Sequence, residues 1–297
     1  MKYLSGLLLL VGLVVLATTG CVTSGSTSSA ASTRYVFLCF GQSNMEGFPG
    51  IAEEDKGPVD ERFQMLAAVD FPKEGRVKGN WYPALPPLYR PSAGLGPADY
   101  FGRTLVSNLP PHISVGVVNV SIGGCKIELF QKDTFQSYVT TAPRWMTNTI
   151  ATYSGNPYQH LVEMAKLAQK DGVIKGVLLH QGESNTNDKE WPNKVKAIYG
   201  NLLADLGLKA EDVPLIAGEV VNADQNGVCA GMNKIIADLP KTIPTAHVVS
   251  SAGCLATRDR LHFSTAGYRE LGKRYAEKML PLLASNGVKA TELRAAP

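Results

Sequence analysis

Three residues have the types needed for nucleophilic catalysis: Ser43 near the start of the chain, and Asp259 and His262 near its end. A serine hydroxyl is scarcely ionised at neutral pH, so it needs a base before it can attack a carbonyl carbon. His262 is the candidate base, and Asp259 lies three residues before it, close enough to select the tautomer of the imidazole and to stabilise the imidazolium that forms. The three residues together predict acyl transfer.

Acyl transfer also needs hydrogen-bond donors for the oxyanion that develops on the attacked carbonyl. Gly124, with Gly123 before it, would bring a backbone N–H close to a substrate without a side chain in the way. The backbone N–H of Ser43 and the side-chain amide of Gln181 are the other predicted donors. The alternative for the Ser43 stretch is an ordinary strand-to-helix turn in which Ser43 or Asn44 only caps a helix.

The elements that must position these residues follow from the hydrophobic pattern. Strands are predicted at 35–40, 113–120, 173–180, 214–219 and 246–250, and helices at 98–108, 158–170, 191–206, 232–239 and 264–283. Residues 48–97, and the stretch that reaches Gly155, read as long loops. The alternation of strand and helix predicts an α/β fold with a five-stranded, mainly parallel sheet and helices on both faces.

Four polar segments follow strands of this pattern. They are residues 41–44, 121–124, 180–185 and 257–263. Open α/β sheets bind their ligands at the carboxyl ends of the strands, so we expect the four segments to meet at one edge of the sheet.

The remaining histidines have no partner motif. His112 and His160 are predicted to be surface residues, and His247 lies in a strand-like run and is predicted to be structural. His180 ends the third predicted strand, where it would pack or form a hydrogen bond beneath the site.

The first residues read as an export signal. Residues 1–21 contain Lys2, an apolar stretch and Cys21, in an arrangement similar to the cleavage box of bacterial lipoproteins, although Thr18 departs from it. We expect an exported protein anchored to a membrane by a lipid on Cys21, periplasmic or at the cell surface. The alternatives are ordinary secretion and an uncleaved anchor. Residues 22–33 are small and polar and predict a flexible linker, with one domain over 34–297.

Export would permit disulfides, and Cys229 and Cys254 lie in loop-like surroundings where they could pair, whereas Cys39 is predicted to be a buried apolar residue. The sequence contains no Cys-x-x-Cys or His-Glu-x-x-His spacing and no phosphate-binding glycine motif, so it predicts no metal and no cofactor. Basic residues number 29 and acidic residues 26, and the basic ones are scattered, which gives no reason to expect nucleic acid as a partner.

The chain resembles the SGNH (GDSL-like) hydrolase superfamily, and within it the carbohydrate acetylesterase group that includes proteins like sialate O-acetylesterase and acetylxylan esterase. The motifs that carry the resemblance are Gly-Gln-Ser-Asn-Met at 41–45 and His-Gln-Gly-Glu-Ser-Asn at 180–185, and it extends from Arg34 to about Leu283. It implies a flavodoxin-like three-layer α/β/α sandwich. It also implies that Ser43 is the nucleophile of a triad with Asp259 and His262.

The resemblance further implies oxyanion donors at Ser43, Gly124 and Gln181. Glutamine replaces the aspartate of the general Gly-Asp-Ser motif, and Gln-Gly-Glu-Ser-Asn replaces the usual Gly-x-Asn-Asp block; both changes fit the acetylesterase group. The residues expected to support the site are Gln42, Asn44, Gly123, Glu183 and Asn185. Two roles stay open for Asn185, which either touches the oxyanion or braces the loop with Glu183.

The implied activity is hydrolysis of O-acetyl esters on carbohydrates, either acetylated xylan-type polysaccharide or O-acetylated sialic acid, without a cofactor. Trp81, Tyr82, Trp145 and Tyr153 lie in the long loops and would either stack on sugar rings or pack locally. Two other functions compete. One is a non-catalytic glycan-binding surface lipoprotein, which an intact triad argues against, and the other is an esterase or lipase for non-sugar acyl groups.

Overall fold

The computed structural model describes Met1 and residues 33–48 and 50–285. Apart from Met1 and Thr33, the predicted export signal, Cys21 and the linker lie outside the described residues, and the predictions made for them stay predictions. Thr33, the last residue of the predicted linker, begins the first strand.

Within the described residues, seven strands form a single sheet in the order β3-β2-β4-β1-β5-β6-β7. The strands are β1 Thr33–Gly41, β2 Phe63–Leu66, β3 Trp81–Pro83, β4 Ile113–Ser121, β5 Val173–His180, β6 Leu215–Gly218 and β7 Ala246–Val249. All neighbouring pairs are parallel except β2 and β3, which pair antiparallel at one edge. The prediction of a mainly parallel sheet is therefore confirmed.

Helices cover both faces of this sheet. They are α1 Ser43–Glu46, α2 Pro97–Asn108, α3 Phe135–Thr141, α4 Arg144–Thr152, α5 Pro157–Ala168, α6 Trp191–Leu206, α7 Met232–Ala237, α8 Leu239–Thr242 and α9 Thr265–Ser285. On the central strand β1, Phe37 packs edge-on against Phe101 of α2 at 4.9 Å between ring centroids, and Phe40 packs against Phe130 at 5.2 Å. Residues an odd number apart in a strand face opposite sides, so these contacts fill two separate apolar layers. No helix in the described ranges is both long and apolar enough to span a bilayer.

The predicted count of five strands is wrong, because β2 and β3 lie within residues 48–97, which the sequence presents as a loop. They are four and three residues long. Strands this short show no recognisable alternation of apolar and polar residues. They are extended because they pair with neighbouring strands. The second predicted loop likewise contains α3 and α4. The helix predicted at 232–239 ends at Ala237, and α8 begins at Leu239 with Pro240 in its first turn.

One further prediction is wrong. His160 is buried rather than on the surface, and its Nε2–H donates to the carbonyl oxygen of Ala68 at 2.7 Å. The sequence left open whether Cys229 and Cys254 pair, and in the structure both are free thiols. His112 is exposed and Cys39 is buried, as predicted.

The register of β1 explains how the polar segments come together. Gly41, the last residue of β1, is paired with Ser121 at the end of β4 and with His180 at the end of β5. The segments that follow these three strands therefore start at the same edge of the sheet. Gly41 has a φ of +151°, and a Cβ there would lie 2.1 Å from the carbonyl oxygen of His180, so only glycine fits this junction.

We expect Gly41→Ala to destabilise the protein by at least about 2 kcal/mol, because the new methyl group overlaps backbone atoms that cannot move away. Gly200→Ala is the matched control: Gly200 lies within α6 and a Cβ there meets nothing within 4 Å. This second variant should be stabilised by about 0.5–1 kcal/mol. Urea unfolding measures both. Equal effects of the two substitutions would contradict the close approach at Gly41.

His180 is fully buried below the edge where the polar segments meet. Its Nδ1–H donates to Tyr275 Oη at 3.1 Å, and the Tyr275 hydroxyl donates to the carbonyl oxygen of Leu179 at 2.8 Å. The ring also packs edge-on against Phe263, at 5.7 Å between centroids. Burial lowers the pKa of His180 to about 3, so the ring is a neutral packing element.

This burial makes stability depend on pH. The unfolded chain binds a proton on His180 near pH 6.5, whereas the folded protein does so only near its pKa of about 3. Between these values the unfolded state holds one more proton, so the free energy of unfolding decreases by about 1.4 kcal/mol for each pH unit as the pH falls.

We expect His180→Gln to reduce the slope of unfolding free energy against pH by about this amount between pH 6 and 4. His112→Gln, which changes an exposed histidine, should leave the slope unaltered. Urea unfolding across this range tests the prediction, which fails if both variants keep the slope of the unsubstituted protein.

Candidate active site

Ser43, His262 and Asp259 form a continuous line of hydrogen bonds. The Ser43 hydroxyl donates to His262 Nε2 at 2.9 Å, and His262 Nδ1–H donates to Asp259 Oδ2 at 2.7 Å. Ser43 begins α1 directly after β1, and the other two residues lie in the loop between β7 and α9. The structure thus brings together the three residues predicted to form the triad, in the order that general-base activation of a serine requires.

Asp259 is held in its ionised form. Partial burial opposes ionisation, but the His262 ring, the Thr257 hydroxyl and the backbone N–H groups of His262 and Leu261 all donate to this carboxylate and hold its pKa well below the usual range. Oδ1 takes three of these bonds, which fixes the carboxylate and leaves Oδ2 directed at the imidazole. A charged, immobile partner of this kind stabilises an imidazolium.

Asn44 joins the Ser43 helix to the His262 loop. Its Nδ2 donates to the carbonyl oxygen of Leu261 at 2.9 Å and to the Glu183 carboxyl. Its Oδ1 accepts from the Tyr268 hydroxyl at 2.6 Å and from the backbone N–H of Phe263 at 3.3 Å. Asn44 has no exposed surface. It therefore fixes the distance between α1 and the loop that carries His262.

Two backbone N–H groups are available beside the Ser43 hydroxyl. Those of Ser43 and Gly124 donate to no protein acceptor within the described residues. The N–H of Gly123 is already used, since it donates to Glu46 Oε2 at 3.0 Å. Gly124 has a φ of +68°, a conformation that suits glycine. Of the two predicted glycines, Gly124 is the one with a donor to offer.

The structure does not place Gln181 as predicted. This side chain has no exposed surface, and its Nε2 lies 2.7 Å from Asn185 Oδ1, 3.0 Å from Gln42 Oε1 and 3.3 Å from the carbonyl oxygen of Cys125. Its two protons are engaged with these internal acceptors, and Trp191 Nε1–H donates to its Oε1. Gln181 therefore orients its neighbours and presents no donor to the Ser43 hydroxyl.

Gln42, unlike Gln181, has a side-chain donor without an internal partner in the described residues. Its Oε1 accepts from Gln181 Nε2 at 3.0 Å and from the backbone N–H of Ser184 at 3.2 Å, which fixes the orientation of its amide. Its Nε2 donates to no acceptor in the described part of the chain, and Gln42 lines the cavity that contains Ser43.

Asn185 braces its loop and does not contact the oxyanion donors. Its Oδ1 accepts from the backbone N–H of Ile127 at 2.9 Å as well as from Gln181, and its Nδ2 donates to Glu128 at 3.0 Å and Asp188 at 3.1 Å. Of the two roles left open for Asn185, these contacts favour the bracing of the loop, although the partners do not include Glu183.

Glu183 lies buried beside the triad. Its Oε1 accepts from Asn44, while its Oε2 is buried and accepts no hydrogen bond from the described residues. Burial raises the pKa of this carboxyl. Burial therefore disfavours charge on Glu183, whereas the carboxylate that accepts from His262 Nδ1–H is that of Asp259.

A cavity of about 390 Å³ opens above Ser43. Its lining combines triad residues, donors and aromatic rings: Gln42, Ser43, Glu46, Phe48, Arg90, Gly123, Gly124, Trp145, Glu183, Ser184, Leu261 and His262. A cavity of this size fits a small ligand.

Of the four aromatic residues for which sugar contact and local packing were both open, only Trp145 lines this cavity, where 57% of its surface is exposed. Tyr153 is fully buried and packs locally. Trp81 and Tyr82 lie on the edge strand β3. Trp81 Nε1–H donates to Asp171 at 3.0 Å, and the Tyr82 hydroxyl accepts from a loop N–H. These two pack locally.

Sequence reasoning missed Phe48, Glu46 and Arg90. Phe48 stacks on the His262 ring, at 3.9 Å between centroids and 15° between planes, and 59% of its surface is exposed. Glu46 is buried and pairs with Arg90. Their position could have indicated Glu46 and Phe48, because these residues lie only three and five positions after Ser43. Nothing local in the sequence indicated Arg90.

Comparison with known proteins identifies the family to which the chain belongs. The family model for carbohydrate esterases described as sialic acid-specific acetylesterases matches residues 33–281. Three solved structures share the fold. A protein from Arabidopsis thaliana is 21% identical with a TM-score of 0.64, and 84% of this chain aligns with 98% of that one.

The second structure, NanS, is 20% identical with a TM-score of 0.58, over 86% of this chain and 99% of that chain. The third is a carbohydrate acetylesterase from Xanthomonas citri, also 20% identical, with a TM-score of 0.57, over 87% of this chain and 57% of that chain. Because the family model matches most of the sequence, this chain belongs to the carbohydrate esterase family of sialic acid-specific acetylesterases, and it is a carboxylic ester hydrolase.

Proposed function

We propose that the protein removes O-acetyl groups from carbohydrates, such as acetylated xylan-type polysaccharide or O-acetylated sialic acid, with Ser43 as the nucleophile. The observation that carries this proposal is the hydrogen-bonded line from Ser43 through His262 to Asp259 at the floor of an open cavity. The membership of the chain in a carbohydrate esterase family supports the same conclusion.

Hydrolysis proceeds in two steps. Ser43 Oγ attacks the acetyl carbonyl carbon while His262 Nε2 takes its proton, and the imidazolium, stabilised by Asp259, then protonates the departing sugar oxygen. A water molecule next attacks the acetyl-serine, with His262 again as base, and acetate leaves as Ser43 regains its proton. Every proton passes through His262 Nε2, the atom that receives the Ser43 hydrogen bond.

The oxyanion is bound by three donors. They are the backbone N–H groups of Ser43 and Gly124 and the Nε2 of Gln42, which have no other acceptor in the described residues. Donors that are already fixed before the reaction cost no reorganisation in the transition state.

The walls of the cavity favour a sugar as the alcohol part of the ester. Phe48 and Trp145 are exposed aromatic rings beside the Ser43 hydroxyl. Rings of this kind pack against the C–H faces of a sugar, while the polar lining meets its hydroxyls.

The first test measures acetate release from acetylated xylan, an O-acetylated sialoside and p-nitrophenyl acetate. Ser43→Ala should abolish release, and Asp259→Asn should lower kcat by about 10⁴-fold because the imidazole loses its orienting anion. Ser184→Ala is the matched control, because Ser184 lines the same cavity but donates to the carbonyl oxygen of Gly124 at 2.9 Å.

The kcat of this control variant should fall by no more than about tenfold, which is the contribution of one neutral hydrogen bond. A folded protein that releases acetate from none of the three substrates would contradict the esterase and favour a glycan-binding role. Acetate release only from p-nitrophenyl acetate, the ester of a non-sugar alcohol, would favour the competing function of an esterase or lipase for non-sugar acyl groups.

A second test measures the contribution of the Gln42 side chain to binding of the oxyanion. Gln42→Ala should reduce kcat on p-nitrophenyl acetate by about 10²–10³-fold with little change in KM, since an oxyanion donor acts in the transition state. Its unfolding free energy, measured with urea, provides the control for an intact fold. A decrease in kcat of less than threefold would show that Gln42 Nε2 does not bind the oxyanion.

A further inference from the structure

A second cavity adjoins the one above Ser43. It has a volume of about 430 Å³, and Arg90 lines both cavities. We call it the Arg90 groove; besides Arg90 its lining includes Val69, Asp70, Lys78, Ser92 and Thr152. Arg90 therefore forms part of the boundary between the two cavities.

Arg90 is held firmly at this boundary. Its Nε–H donates to the buried Glu46 carboxylate, and its Nη1–H donates to Ser92 Oγ. Glu46 is in turn fixed by the backbone N–H of Gly123. These bonds leave Arg90 Nη2 without an acceptor among the described residues, and 26% of the side chain is exposed. An immobile guanidinium with one free edge is well suited to bind an oxygen of a ligand.

The groove offers both acceptors and donors. Asp70 Oδ1 accepts from the backbone N–H of Lys78 at 2.7 Å, while Asp70 Oδ2 has no donor in the described ranges. The Lys78 ammonium makes no ion pair with a described residue. Thr152 Oγ1, which donates to a helix carbonyl, keeps its lone pairs for a ligand.

This mixture indicates hydroxyl groups as the ligand. Asp70 and the Glu46 carboxylate behind Arg90 offset the charges of Lys78 and Arg90, so the groove does not select an anion. A sugar hydroxyl both donates and accepts, and a carboxylate beside a cation satisfies both functions. Val69 and Pro91 add the apolar surface against which a sugar ring packs.

We propose that the Arg90 groove is a second sugar subsite, which binds the glycosyl residue linked to the acetylated one through its hydroxyls. The protein would then act on acetylated oligosaccharides in preference to acetylated monosaccharides. This inference rests on the proposed function, because it assumes that the acetylated sugar occupies the Ser43 cavity.

The test compares kcat/KM for a neutral acetylated xylo-oligosaccharide, an acetylated xylose and p-nitrophenyl acetate. The oligosaccharide should exceed the monosaccharide by about tenfold, the contribution of one or two added hydrogen bonds. In the double variant Asp70→Ala, Lys78→Ala, the ratio of kcat/KM for the oligosaccharide to that for p-nitrophenyl acetate should fall by about tenfold, mainly through KM. Lys73→Ala, an exposed neighbour outside the groove, is the control that keeps the ratio.

The outcomes are distinguishable. An unchanged ratio in the double variant, or no preference of the unsubstituted protein for the oligosaccharide, would overturn the subsite while the esterase stands. Failure of Ser43-dependent hydrolysis of p-nitrophenyl acetate would overturn the proposed function and the subsite with it.

Discussion

The buried amide of Asn44 is the interaction on which the site depends. Ser43 follows the first strand and His262 follows the last, 219 positions apart in the chain, and a line of hydrogen bonds between such distant residues needs a rigid link. Asn44 provides it, because all of its bonds go to Glu183, Tyr268 and the backbone on either side of His262. A buried amide with every donor and acceptor satisfied permits one arrangement of the two loops, since any other leaves polar groups unpaired.

The three carboxyl groups nearest Ser43 show how burial and partners assign different roles to one functional group. Asp259 is partly exposed and receives several N–H and O–H donors, which keep it charged. Glu183 is buried with one donor, and its pKa is raised. Glu46 is buried too, but it pairs with Arg90 and the N–H of Gly123 and so fixes the wall of the cavity. The anion that faces His262 is thus the one that can stabilise an imidazolium.

The parts of the fold that could be predicted from the sequence are those with long apolar patterns. The strand at 173–180 and the helix at 191–206 have the predicted bounds, because eight and sixteen residues are enough to show a period. β2 and β3 could not be predicted, since they are extended only because they pair with a neighbouring strand. The burial of His160 and Tyr153 likewise depends on what packs over them, which no local pattern contains.

By itself the sequence determined the residue types of the site and the strands that carry them. Because parallel strands end at one edge of a sheet, the order of the motifs along the chain was enough to bring Ser43, Gly124, Asp259 and His262 together. Only the tertiary structure decided how the polar groups pair. It turned the Gln181 amide inward and left Gln42 facing the cavity, and it used the N–H of Gly123 for Glu46. The physical reason is that each buried donor must find an acceptor, and which acceptor lies within reach is set by residues from distant parts of the chain.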